Sequence, residues 1–461
     1  MSGRGQAAAA AILVAAIAFL FAGLDRLGPV APSAPASAPT RSAVWLCPHG
    51  GGERWSGTIA LANPGDQPVD ARISSISAAG SEVLPLVTVP PGEELLQDVP
   101  DGSRERATYV ESFGGWIAVG WIVRAAEPEI GVGAEPCAPA ASDTWLVSGA
   151  TTEQGQDAFL IVMNPFAIDA VFDVSLFSAD RPPVREKRLT GLVLPAHRST
   201  AVKLDPFVEG EAALGAEIVV RVGRVAASSL GIGRRGGVRS TLGVTAPSDR
   251  WYLPTAGGSA QSALSLFAPG SQEVRFGAEL RSRREIQPAG DLSAVEQAAS
   301  SARVYPVQTA GPTSLELITQ DAAGVVAALR TVGQSDDDAA TVGLVTAARS
   351  WVVLPSVAGL PAQPGFVLVN PGSDAVTATL RLLPPARSRG PGEDAPNDVE
   401  IVIPAQAAVG APRGLFESDP AAAVSVTTTS GGIVAVGAST SLGILGLSLY
   451  GLSSGVPAPS G

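Results

Sequence analysis

The chain has 461 residues, 46% of them hydrophobic and 16% charged, with 52 glycines, 38 prolines and a net charge of −12. That length suits about three or four domains, and the glycine and proline content favours many turns over long helices. The acidic balance excludes nucleic-acid binding, which needs Lys and Arg to neutralise phosphates.

Residues 1–6 carry Arg4 and precede "AAAAAILVAAIAFLFAGL", Ala7 to Leu24, a stretch without a charge. At 1.5 Å per residue it reaches about 27 Å, enough to cross a bilayer core. Arg4 and the amino terminus place residues 1–6 in the cytoplasm and the bulk of the chain outside. The segment reads as an uncleaved signal-anchor, because "FAGLD" is a poor cleavage site. Secretion after signal-peptide cleavage is the competing reading. Residues 25–42, with "PVAPSAPASAPT", form an extended Pro/Ala/Ser spacer. Residues 456–461 read as a frayed tail.

Between them one pattern recurs four times: "IALANPGDQPVDARI" from Ile59, "FLIVMNPFAIDAVFDV" from Phe159, "ALSLFAPGSQEVRFGAEL" from Ala263 and "FVLVNPGSDAVTATL" from Phe366. Of the four asparagines in the chain, Asn63, Asn164 and Asn370 stand before Pro64, Pro165 and Pro371, and Ala268 takes the place in the third copy. The period is about one hundred residues. Each copy opens on a tryptophan (Trp45, Trp145, Trp251, Trp351) and closes near a glycine, read as Gly131, Gly243, Gly343 and Gly446. Alternating apolar positions flank an Asn-Pro turn, in which Asn bonds the backbone two residues on and Pro fixes φ. The asparagines are thus structural turn initiators.

This predicts an all-β chain of four tandem immunoglobulin-like or fibronectin-like sandwich modules, at 43–142, 143–249, 250–349 and 350–455. A propeller is the rival, but its blades are nearer forty to fifty residues. In the third module Asp291 is placed to cap a short helix. In the fourth, the uncharged run after Pro420 reads as two strands rather than a second membrane helix. Short linkers predict stiff packing between modules.

Cys47 and Cys137 are the only cysteines and in an exported chain are most simply a disulfide. The alternative joins them with His49 around zinc, but only three ligands are in sight. The two histidines, His49 and His197, lie in different modules, and no hydrolase motif accompanies either. No acidic pair stands out for glycosidase chemistry. Asp336 to Asp338 read as a solvated hairpin tip, with calcium as the alternative. Arg234, Arg235 and Arg239 read as a solvated loop, with an anionic polymer or lipid headgroup as the alternative. Trp116 and Trp121, five apart, would point to opposite faces of a regular strand. Their burial is favoured, through a bulge at Gly120, and an exposed one would be the candidate carbohydrate or protein contact. No catalytic residue, cofactor or metal is expected.

The order of apolar span, Pro/Ala spacer and Trp-opened, Asn-Pro-centred modules resembles an uncharacterised family of secreted or membrane-anchored actinobacterial proteins, a domain of unknown function. The resemblance covers about residues 44–455 and implies a cell-envelope location without catalytic residues to carry over. The expected function is a non-enzymatic, membrane-anchored extracytoplasmic scaffold or binding protein, whose partners are the membrane through residues 7–24 and a cell-wall glycan or envelope protein. The alternatives are a glycan-processing enzyme or its accessory, and an adhesin-like surface protein.

Overall fold

The computed structural model describes residues 42–461 apart from 101, 127, 234–236, 256–260, 309–312, 321–322, 333–337, 356–361, 387–397, 413, 417–421, 430, 443–447 and 460–461. The apolar segment Ala7–Leu24 and its spacer lie outside the described residues. No helix among the described residues is long and apolar enough to cross a membrane.

The second repeat shows the plan. Its eight strands are Thr144–Ala150, Gln156–Asn164, Ala170–Phe177, Leu192–Leu194, Arg198–Lys203, Leu214–Val222, Ala226–Gly233 and Val238–Leu242. The sequence "AVFDVSLF" buries every other side chain, as a strand with one face on a core must. The strands form two antiparallel sheets, ordered first–sixth–third–fourth and fifth–second–seventh–eighth, that share one apolar core. The other three repeats keep these pairings and add a short ninth strand: Ser81–Val83 on the third strand of repeat one, Ile286–Pro288 on that of repeat three, and Val456–Pro457 on the first strand of repeat four, where a frayed tail was expected. An immunoglobulin constant domain orders its strands first–second–fifth–fourth and third–sixth–seventh. The repeats keep the second–fifth and third–sixth pairs but set the first strand beside the sixth and the seventh beside the second. Two of the five immunoglobulin pairings therefore recur, within a different strand order.

The asparagines sit where the second strand turns into the third, and each is fully buried. Asn63, Asn164 and Asn370 accept from the backbone N–H of Gly65, Phe166 and Gly372 at 3.0–3.1 Å. Their amides donate four residues on, to Gln67, Ile168 and Asp374. They donate also to the facing sheet, at Val89, Leu194 and Ile403. In repeat three, where Ala268 lacks an amide, the residue matching Val89, Leu194 and Ile403 is Gln297, which sends its own amide back to Leu266 O and Ser301 O at 3.1 Å. The carboxamide has changed strands. The short helix expected after Asp291 is absent; Val295–Gln297 is a strand on Val274–Phe276. Val434–Leu442 and Ser448–Ser454 pair as strands in repeat four.

The repeats are not strung out in a line. Their last strands, Gly131–Pro136, Val238–Leu242, Asp338–Val342 and Ser448–Ser454, stand round a common axis, each against the next and the fourth against the first. One backbone bond repeats at every joint. Ser199 N–H donates to Ser77 O, Ala302 N–H to Ser178 O and Ala408 N–H to Ser282 O, at 3.2–3.3 Å. The fourth joint closes the circle, with Glu94 N–H donating to Pro384 O at 2.9 Å and Ala386 N–H to Glu94 O at 2.7 Å. In all four cases the donor lies two residues past a left-handed turn, at Gly92, His197, Ser300 and Gln406, with φ of 50–69°. The fold is thus a ring of four two-sheet blades. Radial repetition, the rival expectation, occurs here with hundred-residue two-sheet units in place of single four-stranded blades.

The axis is filled. A Cβ on Gly131 would overlap the backbone of Gly237 and Val238, so the inner strands approach as closely as glycine permits. Their register also corrects one landmark: the counterparts of Gly243 and Gly343 are Cys137 and Gly455, whereas Gly131 matches Gly237. Gly446 lies outside the described residues.

Candidate functional site

A cleft of about 910 Å³ lies at one end of repeat two. It forms between the loop joining the first and second strands and the loop joining the fifth and sixth. In "TTEQGQD" the N–H of Gln156 returns to Glu153 O, and Gly155 at φ 89° supplies the left-handed third position of that turn. The two loops are zipped together by Thr152 N–H to Glu211 O and Gly210 N–H to Thr152 O, both 2.9 Å. Thr151 Oγ1 adds a bond to Glu211 O.

Glu153, Asp157, Asp205 and Glu209 bring four carboxylates to the cleft, against Arg181 and Lys203. Both bases are engaged: Lys203 with Asp157 at 2.9 Å and Arg181 with Glu211 at 3.1 Å. Asp205 accepts the backbone N–H of Ala158. Gln156 links the cleft to the axis by accepting from Arg239 Nη1 at 2.9 Å. The lining holds no aromatic ring. The adjacent Phe159 ring is covered by Lys203 and by Arg104, which also lies over Trp55 at 5.0 Å. Glu129 holds this ladder by accepting from Trp55 Nε1 at 2.6 Å and Arg104 at 3.0 Å. The cleft therefore offers polar, mainly acidic hydrogen bonding and no stacking platform.

The residues singled out from sequence lie elsewhere. Trp121 is fully buried and donates Nε1–H to Ser240 Oγ of repeat two at 3.2 Å, so it pins a joint and meets no solvent. Trp116 is half-buried, edge-on to Trp45 at 5.9 Å. It precedes the strand Ala118–Ala125, so strand alternation never governed the pair, and the pairing across Gly120 continues without a bulge.

Cys47 and Cys137 form a disulfide, which removes both sulfurs from any zinc site. His49 lies beside it, buried, with Nδ1 at 2.5 Å from Gly50 O and Nε2 at 2.9 Å from Thr108 Oγ1. Burial lowers its pKa to about 4, opposed by the Gly50 carbonyl and aided by Arg106. A neutral imidazole without access serves packing. His197 is an exposed turn residue at φ 52°.

Two charged readings are corrected. Arg239 and Asp338, expected in solvated loops, are buried and paired with each other, and Arg330 joins Asp338 at 2.8 Å. Opposite charges from consecutive repeats meet there, which sequence separation conceals. Arg234, Arg235, Asp336 and Asp337 lie outside the described residues. No group of three or more His, Cys, Asp or Glu among the described residues is placed to hold a metal.

Sequence reasoning missed the cleft, although a signal existed. "TTEQGQD" and "LDPFVEGE" occupy loops one and five of the same repeat, and loops joining alternate strands fall at one end of a sandwich. The model of a family of unknown function (DUF5719) matches residues 108–360, more than half of the chain. The chain belongs to this family. No curated protein matches it. The DUF5719 match takes in the whole cleft, and it leaves out Cys47 and His49.

Proposed function

We propose that the chain is a non-enzymatic, membrane-anchored extracytoplasmic protein of the cell envelope, a rigid scaffold built from four β-sandwich modules whose central strand pairs are immunoglobulin-like. The observation that carries this reading is the closed ring: four joints sharing one backbone bond and a filled axis favour a fixed platform over a moving or hollow one. The disulfide supports an oxidising compartment, and the uncharged segment Ala7–Leu24 supports the anchor. The cleft of repeat two is the binding surface in this reading, with a polar envelope glycan or the donor-rich face of an envelope protein as its partner.

The test is retention from envelope extract by the full-length chain in detergent, beside a Gln154→Ala/Glu209→Ala variant that alters the exposed lining alone. Retention by the parent and loss in the variant is expected. Equal retention by both would move the site away from the cleft. No retention by either would remove the binding role. A second reading, glycan processing, is favoured by the four carboxylates of the cleft; release of reducing sugar from wall polymer would establish it in place of the first.

A further inference from the structure

Where the four repeats meet, one buried side chain touches or leads to all of them. Glu135 lies on the inner strand of repeat one, 1% exposed. One carboxyl oxygen accepts Val342 N–H at 2.8 Å, and the other is 3.2 Å from Thr341 Oγ1, both in repeat three. The N–H of Leu242 in repeat two also reaches the group. Thr341 Oγ1 is 3.2 Å from Ser454 Oγ in repeat four, whose hydroxyl donates to Val342 O at 2.7 Å.

The protons can be counted. Thr341 has a single hydroxyl hydrogen and three acceptors around it: Glu135 Oε2, Ser454 Oγ and Val342 O at 3.3 Å. A neutral Glu135 donates to Thr341 and frees that hydrogen for Ser454, giving a directed chain that ends on the Val342 carbonyl. An ionised Glu135 must instead draw the hydrogen to itself. The ionisable residues on the surrounding strands are Arg124, Arg239, Asp338 and Tyr450. Arg239 and Asp338 are paired with each other, and no ion pair among the described residues includes Glu135. A carboxylate here is desolvated by burial and meets no counter-charge among the described residues.

We infer that Glu135 is a pH-sensitive lock: as the neutral acid it ties the four repeats together at the axis, and its ionisation as pH rises loosens the ring. Burial pushes its carboxyl well above the ordinary value of 4.5, against the bonds from Val342, Thr341 and Leu242. The folded ring therefore holds this proton more tightly than the unfolded chain does. Its contribution to stability is complete below the unfolded value and is lost as pH climbs from there through the raised folded value. His49 acts in the opposite sense. With its pKa lowered from 6.5 to about 4, its contribution is present above 6.5 and lost as pH falls through about 4.

The test compares denaturant midpoints of the full-length chain and Glu135→Gln from mildly acidic to alkaline pH. Glutamine keeps a donor and an acceptor and cannot ionise. The parent midpoint is expected to fall with rising pH once past the His49 range, while the variant stays flat there. Parallel slopes would overturn the inference. Should the variant fail to fold, infrared spectroscopy of the parent decides. A protonated carboxyl band persisting above the ordinary carboxylate range supports the lock, and a carboxyl band that vanishes within that range overturns it.

Discussion

Repeat one and repeats two to four share the strand pairings of the framework, yet four buried features belong to repeat one. It holds the disulfide, the buried His49, the axial Glu135 and the buried Glu94. At the position of Glu94 the other repeats have Ser199, Ala302 and Ala408, donating the same backbone bond. The difference lies in covalent continuity. Repeats two, three and four each receive the chain directly from their neighbour, and the arriving Ser142, Ser248 and Ala348 bridge to Val225, Val325 and Ile433. Repeat one has no such chain arriving from repeat four. The backbone bond is kept at that joint, and the Glu94 carboxylate adds a bond to Ala423 N–H of repeat four where the covalent thread is missing.

The most severe way to break this comparison is at the closing joint. Glu94 is fully buried, and its Oε2 accepts the N–H of Ala423 in repeat four at 2.7 Å. Glu94→Lys replaces that acceptor with a buried donor of opposite charge and should cost about 4 kcal/mol or more. Ser199→Ala, at the matching position, removes a buried hydroxyl that has no partner and should be neutral or slightly stabilising. Denaturant midpoints of the two variants measure the contrast, and similar losses would show that the closing joint is no different from the rest.

The same contrast shows why part of the fold was legible and part was not. Strand alternation, the Asn-Pro turns and the hundred-residue period are local, and they led to an all-β chain with two sheets per repeat. Closure is carried by backbone groups at Ser77, Ser178, Ser282 and Pro384. A serine at one place in three repeats does not announce a backbone acceptor, so a period alone suits a string as well as a ring. Arg239 and Asp338 failed for a related reason: each looked solvated within its own loop, and its partner lies 99 residues away. The strand ends of the cleft were legible, but its shape depends on two loops meeting.

Next in size is the disulfide. It ties the first strand of repeat one to the end of its inner strand across 90 residues of chain, and such a constraint on the unfolded state is typically worth about 2–4 kcal/mol. The paired variant Cys47→Ala/Cys137→Ala should lose most of that in a denaturation experiment. In repeat two the matching residues are Val147 and Gly243, and a Cβ on Gly243 would lie 2.9 Å from both Ala227 O and the Trp145 ring. Val147→Cys with Gly243→Cys should therefore destabilise rather than cross-link. If it forms a stabilising disulfide, the covalent tie is not peculiar to the repeat that closes the ring.

The smallest effect separates the four opening tryptophans. Trp145, Trp251 and Trp351 each donate Nε1–H to the carbonyl of the bridged residue: Val225 at 2.7 Å, Val325 at 3.0 Å and Ile433 at 2.5 Å. Among the described residues Ser42 makes no matching bridge to Ile117, and the buried Nε1 of Trp45 has no partner. Its ring instead meets the edge of Trp116. Replacement by phenylalanine removes ring volume in all four, but a hydrogen bond in only three. Trp45→Phe should therefore cost about 1 kcal/mol less than Trp145→Phe, the usual net value of one such bond. The arriving chain fixes the carbonyl that the indole needs, so equal costs would mean that the linker bridges do not set the indole geometry and that repeat one is uncoupled from the missing thread.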